Sequence, residues 1–258
     1  MATEGLRLIE PPRSKSAGAG VDWIGEGWRL FARAPLMWVV SILVLFVIAI
    51  VISLVPFIGS LAFQVLQPVF AAGYVVACRS LETGGEFEIE HIFAGFKRNF
   101  SNLIIVGLVF MALSLALLLV FAVFAGFGLV MAFIAGDTND MVPALMASGM
   151  SIALGALVML ALMVPVMMAY WFAPALVMMH DMAPIAAMKE SFRGCLKNIL
   201  PFLIYGFVMT VLCILAAIPF GLGLLVWFPV AIASTYAAYR GIYTEEDVPA
   251  QPAMAQAA

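Results

Sequence analysis

The chain has 258 residues, of which 65% are hydrophobic and only 10% charged, and its formal net charge is −3. Soluble domains are nearer half apolar and a quarter charged, so these proportions exclude an ordinary soluble protein. They also exclude a nucleic-acid-binding protein, because no basic stripe lies on a soluble segment.

The N-terminal segment before the first apolar run is polar. Residues 1–20 hold prolines, serines and glycines, a composition typical of a disordered tail. Acidic residues accompany the basic ones, and the first apolar run lacks a small-residue cleavage site, so we do not expect a cleavable signal peptide. The sequence predicts a disordered tail over 1–20 and a single transmembrane domain over 21–242.

An amphipathic helix is predicted immediately before the first apolar run. Polar side chains recur at helical spacing on one face, and aromatic and aliphatic side chains occupy the other. The polar face holds Asp22, Glu26, Arg29 and Arg33; the apolar face holds Trp23, Ile24, Trp28 and Phe31. Basic amphipathic helices with aromatic anchors lie in the membrane interface. We therefore expect Arg29 and Arg33 to contact anionic lipid headgroups.

Six apolar runs without Asp, Glu, Lys or Arg follow. A spanning helix needs about 20 such residues to cross roughly 30 Å of hydrocarbon. A buried helix of a soluble protein rarely runs so long without a charge. The sequence therefore predicts an all-α, polytopic transmembrane helical bundle with spans at about 36–54, 57–78, 103–135, 145–179, 199–218 and 222–239.

The second span is the most polar of the six, and no span contains an ionisable residue of the kind that marks a proton or ion path. Gln64 and Gln67 lie within it, followed by Tyr74. A glutamine in hydrocarbon usually forms a hydrogen bond with a neighbouring helix. The alternative is that Gln64, Gln67 and Tyr74 line a path for a solute.

A short motif recurs before the third and fifth spans. Phe93-Ala-Gly-Phe-Lys-Arg-Asn99 aligns without gaps on Phe192-Arg-Gly-Cys-Leu-Lys-Asn198. The segment Trp28–Pro35 follows the pattern more loosely. We interpret these as three interfacial "elbow" helices, each leading into a transmembrane hairpin, with pseudo-repeats at 21–80, 89–180 and 183–242. The alternative is that basic residues precede spans in any membrane protein. The remaining predicted contacts with anionic lipid are Lys97, Arg98, Lys189, Arg193 and Lys197.

The predicted repeats also resemble one another in the apolar stripes of their elbows and in the spacing of residues near the ends of their spans. The apolar stripe of the second elbow holds Ile89, Ile92, Phe93, Phe96 and Phe100, and that of the third holds Ile185, Met188, Phe192 and Leu196. Pro68-Val69 precedes Arg79 by eleven residues, as Pro229-Val230 precedes Arg240. Parallel repeats of this kind are related by an axis along the membrane normal.

The third and fourth runs are longer than a bilayer requires. Two long helices, tilted or protruding, fit this stretch better than four crossings. Pro165 and Pro174 and the excess length predict a kink, or a short extra helix near Val142–Ser148.

The positive charges predict the orientation. All twelve Lys and Arg fall on one side of the predicted bundle, and the opposite connections, at 55–56, 136–141 and 219–221, contain none. Cytoplasmic connections collect Lys and Arg. Both termini are therefore predicted to be cytoplasmic, with a second disordered tail over 243–258.

No set of residues predicts catalysis, a metal or a cofactor. His180, Asp181 and Cys195 could meet near the third elbow, but zinc sites favour tight pairs of ligands at short spacing, and no such pair is present. Cys213 and Thr210 alone do not make an intramembrane active site. We expect a protein that is not an enzyme and has no cofactor.

Several segments resemble an uncharacterised family of bacterial, chiefly proteobacterial, six-helix inner-membrane proteins, which is similar to the membrane domain of glycerophosphodiester phosphodiesterases. They are Gly27–Phe31 with Pro35, Val55–Gly59, Trp171–Val177, Ser191–Asn198 and Tyr236–Arg240. The resemblance covers roughly residues 21–242 and implies six helices in the bacterial inner membrane. It implies no catalytic residues, and the phosphodiesterase chemistry is not carried over, because no segment of this sequence is expected to form that soluble domain.

Two functions remain open on the sequence. The favoured one is a non-enzymatic scaffold that binds membrane lipids, another membrane protein or a second copy of itself, with the elbows touching anionic headgroups. The alternative is a small transporter or channel for an apolar or zwitterionic solute, with its path at Gln64, Gln67 and Tyr74.

Overall fold

The computed structural model describes residues 6–135 and 141–246, and these are almost entirely helical. This confirms the predicted all-α helical bundle. A 3-10 helix covers Ile89–Phe93, and two short strands, β1 (Leu6–Leu8) and β2 (Thr244–Glu246), pair antiparallel. The α-helices are α1 (Ala19–Arg33), α2 (Pro35–Ser53), α3 (Ile58–Glu82), α4 (Ala94–Lys97), α5 (Phe100–Ala135), α6 (Met141–Trp171), α7 (Ala173–His180), α8 (Pro184–Lys197), α9 (Ile199–Ala217) and α10 (Leu224–Tyr243).

Five segments among the described residues are long and apolar enough to cross a membrane. They are Pro35–Ser53, Ile58–Glu82, Phe100–Val130, Ser148–His180 and Ile199–Ala217. The helix predicted as the sixth span, α10, has 20 residues but is more polar, because Ser234, Thr235 and Arg240 lie within it. Hydropathy therefore identifies five spans where the sequence predicts six.

Prolines determine where several helices begin. Pro35 opens α2 and Pro184 opens α8, as expected for a residue whose missing N–H is not needed in the first turn. The long fourth run breaks at Phe172, just before Pro174, into α6 and α7. The short extra helix expected near Val142–Ser148 is not formed, because α6 runs unbroken from Met141 and accommodates Pro165 internally.

The elbow helices pack in a cyclic order. The 3-10 helix and α4 pack on α3, and α8 packs on α6 and α7, so each of these elbows contacts the hairpin before it. The first elbow, α1, closes the ring by packing on α9 and α10. This order is what three parallel repeats around a common axis would produce.

Two equivalent helix contacts support the repeat. A Cβ on Gly73 would overlap the Ile92 carbonyl oxygen, and a Cβ on Gly27 would lie 2.6 Å from the Ser234 nitrogen. Gly73 and Ser234 each lie five residues after the proline of a Pro-Val pair, at Pro68 and Pro229. Pro165-Val166 gives the middle hairpin the same pair.

The elbows differ from the predicted uniform amphipathic helices. The second is a 3-10 helix and one α-turn, and it ends at Asn99, whose φ is 60°. The apolar stripe of the third contacts the bundle only in part: Met188 is buried, but Ile185 and Leu196 are exposed, whereas the small residues Ala187, Ser191 and Gly194 are buried. Small residues face the bundle because the close approach of two helices leaves no room for larger ones.

The N-terminal tail prediction is wrong for residues 6–20. The backbone N–H groups of Ile9 and Arg13 donate to the carbonyls of Tyr243 and Ile242, and β1 pairs with β2. The last carbonyls of a helix have no partner within it, so the N-terminal segment satisfies the end of α10. The same contacts correct the C-terminal tail prediction for 243–246; residues 1–5 and 247–258 lie outside the described residues, as does the 136–140 connection with Asp137 and Asp140.

Candidate functional site

Charged side chains from three helices converge at one end of the bundle, which we call the basic end because the elbows and both arginines of the Pro-Val repeats lie there. Arg240 contacts Glu26 of α1 and Glu82 of α3, each at 2.6 Å. Arg79 lies 3.0 Å from Glu82, and the Tyr236 hydroxyl donates to Glu82 at 2.6 Å. We call these five residues the charge cluster.

Equivalent helices of two repeats supply the arginines of the charge cluster. Arg79 and Arg240 occupy equivalent positions on α3 and α10, and both bind the carboxylate of Glu82. Arg79 is only 8% exposed. The sequence identified the two arginines by their spacing and placed Glu26 on the polar face of the first elbow, but it did not identify Glu82. The position of Glu82, three residues after Arg79 on one helix, was the available signal.

A small polar cavity of about 210 Å³ lies beside the charge cluster. Glu26, Arg29, Arg33, Glu82, Tyr236 and Arg240 contribute to its wall. Arg33 donates to the Leu81 carbonyl oxygen. Arg29 forms no ion pair or hydrogen bond with the residues that the structure describes. The cavity therefore keeps a cation that the described bundle does not neutralise.

A larger cavity of about 470 Å³ lies among α2, α3, α10 and the α6–α7 junction; we call it the inner cavity. Its wall is mainly apolar and aromatic. Phe46 and Phe228 line it and are 61% and 47% exposed, so the cavity opens sideways toward the surface that lipid would cover. Tyr236 lines both the inner cavity and the polar cavity, which places the two cavities next to each other.

The structure brings together two of the three predicted path residues. Gln67 and Tyr74 line the inner cavity, whereas Gln64 is not part of its wall. Neither glutamine forms a hydrogen bond with another side chain or helix among the described residues, contrary to the interhelical bond that the sequence favours. Tyr74 stacks on Trp38 with ring centroids 5.8 Å apart.

Three buried polar atoms have no hydrogen-bond partner within the described chain: the Tyr74 hydroxyl, the Tyr170 hydroxyl and the Trp171 indole N–H. Tyr74 and Trp171 line the inner cavity, and Tyr170 does not. Trp171 also borders a second apolar groove of about 900 Å³ among α6, α8, α9 and α10. Buried donors are nearly always paired, so the two unpaired donors in the wall of the inner cavity are unusual.

Most of the elbow charges predicted to bind lipid form ion pairs or hydrogen bonds within the protein. Lys97 pairs with Glu90 at 3.3 Å, Arg98 with Asp181 at 2.7 Å and Arg193 with Glu190 at 3.2 Å. Lys197 donates to the Pro12 carbonyl oxygen at 3.3 Å. Lys189, like Arg29, forms no such contact within the described ranges. The Asn99 amide and the Arg98 guanidinium both donate to Asp181, and these hydrogen bonds lower the pKa of its carboxyl.

His180, Asp181 and Cys195, which the sequence allowed to meet, have separate partners. His180 Nε2 lies 2.6 Å from the Tyr239 hydroxyl, while Asp181 binds Asn99 and Arg98. Burial raises the pKa of the Cys195 thiol to about 12, so it is not a thiolate near neutral pH. No group of three or more His, Cys, Asp or Glu side chains among the described residues is arranged to hold a metal ion.

Comparison with known proteins gives one informative relative. A probable inner membrane protein of Burkholderia thailandensis is 32% identical over 262 residues, covering 92% of this chain and 94% of the relative. No protein-family profile matches the chain. No solved structure matches it. With this identity over nearly the full length of both proteins, the chain belongs to the same family of inner-membrane proteins.

Proposed function

We propose that this inner-membrane protein is a non-enzymatic scaffold that binds a membrane lipid, with the lipid chain in the inner cavity. The observation that carries the proposal is a cavity of about 470 Å³ with an apolar wall that opens sideways between helices. Ligand cavities in proteins commonly measure about 300–1,000 Å³ and are mainly apolar with a few placed polar groups.

The proposal includes six spans with both termini in the cytoplasm. The 20 residues of α10 extend about 30 Å, enough to cross the hydrocarbon. Because α9 and α10 are joined by a short turn at 218–223, a spanning α10 returns the chain to the basic end. Lys and Arg collect on the cytoplasmic side of inner-membrane proteins, so the basic end is assigned there.

The polar cavity supplies a site for an anionic headgroup. It shares Tyr236 with the inner cavity, and Arg29 in its wall has no partner among the described residues. Each Lys or Arg near an anionic surface contributes about 1 kcal/mol to binding. Arg29 and Lys189 are the elbow charges most available to lipid, whereas Lys97, Arg98, Arg193 and Lys197 already have partners in the protein.

The first test is native mass spectrometry of the protein extracted gently from its own membrane. We expect the wild type to retain a defined lipid and Ala71→Phe, whose ring fills the inner cavity, to lose it. Ala116→Phe adds the same ring to an exposed face of α5 and should retain the lipid. A wild-type protein without lipid, or an Ala71→Phe protein with as much lipid as the wild type, would contradict the proposal.

A second candidate function is a small transporter for an apolar or zwitterionic solute. It is favoured by the position of Gln67 and Tyr74 in the cavity wall. Gln67→Cys distinguishes the two: a transport path predicts labelling by a membrane-impermeant thiol reagent added to the aqueous phase, and a lipid site predicts protection. Cys213→Ser in the same background removes the partly exposed native thiol.

The similarity to the membrane domain of glycerophosphodiester phosphodiesterases enters the proposal as a likeness of architecture alone. It supports a lipid-facing membrane role and supplies no catalytic residue. Another membrane protein, or a second copy of this chain, is a further partner that the proposed scaffold could hold, and native mass spectrometry would detect either as an added mass.

A further inference from the structure

The wall of the inner cavity contains two hydrogen-bond donors that the described protein leaves unused. The Tyr74 hydroxyl and the Trp171 indole N–H are both buried without a partner. Ser41 lies close to Tyr74, but its hydroxyl donates to the Trp38 carbonyl oxygen, and no hydrogen bond of good geometry joins it to the Tyr74 hydroxyl. Among the other buried tyrosines of the described bundle, Tyr205, Tyr236 and Tyr243 are paired, whereas Tyr170 is unpaired and does not line this cavity.

An acceptor from a ligand would satisfy both donors. An indole N–H only donates, so its partner must be an acceptor such as a carbonyl oxygen. The other lining side chains are mainly apolar or aromatic, so the acceptor must be carried on an apolar molecule. Neither donor atom touches the cavity surface directly. A small displacement of the tyrosine and indole rings must therefore accompany binding.

The depth of Tyr74 identifies the part of a lipid that would lie beside it. Tyr74 precedes Arg79 of the charge cluster by five residues on α3, which corresponds to about 7.5 Å along the helix axis. The interfacial layer outside the hydrocarbon is about 5–8 Å deep on each side. With the arginines at headgroup level, Tyr74 lies where the ester groups of a glycerolipid join its headgroup to its acyl chains.

We infer that the inner cavity recognises a glycerolipid by its acyl-ester carbonyl oxygens, which accept hydrogen bonds from the Tyr74 hydroxyl and the Trp171 indole N–H. This inference rests on the proposed lipid-binding function. The anionic headgroup then lies at the polar cavity beside Arg29, on the other side of Tyr236. Carbonyl oxygens also occur on polyprenyl quinones, but these lack an anionic headgroup for the polar cavity.

The test compares two lipids that differ only in the inferred acceptor. Diester phosphatidylglycerol and its diether analogue, with identical chains and headgroup, are titrated into delipidated full-length protein and followed by native mass spectrometry. A hydrogen bond of ordinary strength changes affinity about threefold to tenfold. The wild type should therefore bind the diester lipid at least about threefold more tightly than the diether lipid. Equal binding of the two lipids by the wild type would overturn the inference without any variant.

Variants assign the preference to the two donors. Tyr74→Phe keeps the ring that stacks on Trp38 and should lower the diester preference about threefold or more. Adding Trp171→Phe to this variant should remove the remaining preference for the diester lipid. Tyr170→Phe is the matched control, because it deletes an unpaired buried hydroxyl that does not line the cavity, and it should leave the preference unchanged.

A stability measurement separates ligand binding from a structural role. In lipid-free detergent Tyr74→Phe removes a buried donor without a partner, so its melting temperature should equal or exceed that of the wild type. Addition of diester lipid should raise the wild-type value more than the variant value. A Tyr74→Phe protein that is less stable without lipid, yet equally stabilised by it, would overturn the inference.

The outcomes also separate this inference from the proposed function. If Ala71→Phe abolishes binding of both lipids while the wild type binds them equally, the result supports lipid binding in the inner cavity and overturns recognition of the ester carbonyls. If neither lipid binds the wild type, the result contradicts both the proposed function and the inference. Tighter binding of a polyprenyl quinone than of diester phosphatidylglycerol would overturn the glycerolipid assignment.

Discussion

The two halves of the bundle are held together differently. In the half nearest the basic end, helices bury most of their side chains: α3 is largely buried from Pro68 to Leu81, and α10 from Pro229 to Tyr243. In the far half, large apolar side chains such as Phe46, Leu119, Leu157 and Phe207 are exposed. Apolar side chains gain little by leaving lipid for protein, so the far half needs no such core.

The contrast shows where the specificity of the fold lies. The basic half combines the charge cluster, the elbows and the N-terminal segment, which all form directional contacts. The far half joins α5 to α6 mainly through small residues: Ser151 donates to the Phe124 carbonyl oxygen, and a Cβ on Gly155 would lie 2.6 Å from the Phe124 Cβ. Substitutions in the basic half should therefore be costly, and matched substitutions elsewhere should be mild.

The largest expected effect comes from Glu82→Ala. It removes the carboxylate that Arg79 and Arg240 share and should lower the free energy of unfolding by about 3–5 kcal/mol, because it breaks two mostly buried ion pairs. Thermal unfolding in detergent measures it. Glu90→Ala breaks the exposed pair with Lys97, whose side chains are 77% and 71% exposed, and should cost no more than about 1 kcal/mol. Equal losses of stability in the two variants would contradict a larger contribution from the charge cluster than from the exposed pair.

Tyr236→Phe tests one hydrogen bond of the charge cluster. The hydroxyl donates to the Glu82 carboxylate at 2.6 Å, and a bond to a charged group contributes about 1.5–3 kcal/mol. The matched change is Tyr170→Phe, which removes a hydroxyl without a partner among the described residues and should be neutral or stabilising. Urea or thermal unfolding of both variants gives the difference, and a Tyr236→Phe protein as stable as Tyr170→Phe would contradict it.

Gly27→Ala tests the contact between α1 and α10. The added Cβ would lie 2.6 Å from the backbone nitrogen of Ser234, which cannot move without displacing α10, so we expect a loss of about 1–3 kcal/mol. Gly126→Ala places the same methyl group on α5 in the far half, where no atom lies within 4 Å. That control should gain up to about 1 kcal/mol from helix propensity. A loss at Gly126 similar to that at Gly27 would remove the distinction between the halves.

Asp181 gives the smallest effect, and it depends on pH. Its pKa is lowered from 3.8 by Asn99 and Arg98, so the contribution to stability is complete above that value and is lost as the pH falls through the lower folded pKa. Because the side chain is 61% exposed, the contribution should not exceed about 1 kcal/mol. The melting temperature of wild type minus that of Asp181→Asn should shrink between pH 6 and pH 3; a difference that grows on acidification would contradict the assignment.

Several elements could be predicted because their signals are local. The ends of α2 follow from Pro35 and from an uninterrupted apolar run, and the elbows follow from basic amphipathic segments next to spans. The site was predicted only in part. Gln67 and Tyr74 line the inner cavity as predicted, but Gln64 does not, and Trp171 was not predicted as a residue of the site.

The failures concern contacts between distant residues. Composition favoured a disordered N-terminal tail, yet Ile9 and Arg13 bind the end of α10 more than 200 residues away in the chain. The lipid-contact prediction treated the elbow charges alike, whereas Arg98 and Asp181 pair across 83 residues. A sequence shows the charge of a residue and not its partner.

The all-α membrane fold and the concentration of positive charge at one end follow from the sequence, because hydrophobicity and charge act residue by residue and add along a run. Only the folded bundle reveals that Glu82 holds Arg79 and Arg240 together, that most elbow charges are already paired, and that Tyr74 and Trp171 line one cavity. These depend on how α3, α10 and the α6–α7 junction pack, and that packing is set by close approach at a few small residues rather than by any local pattern.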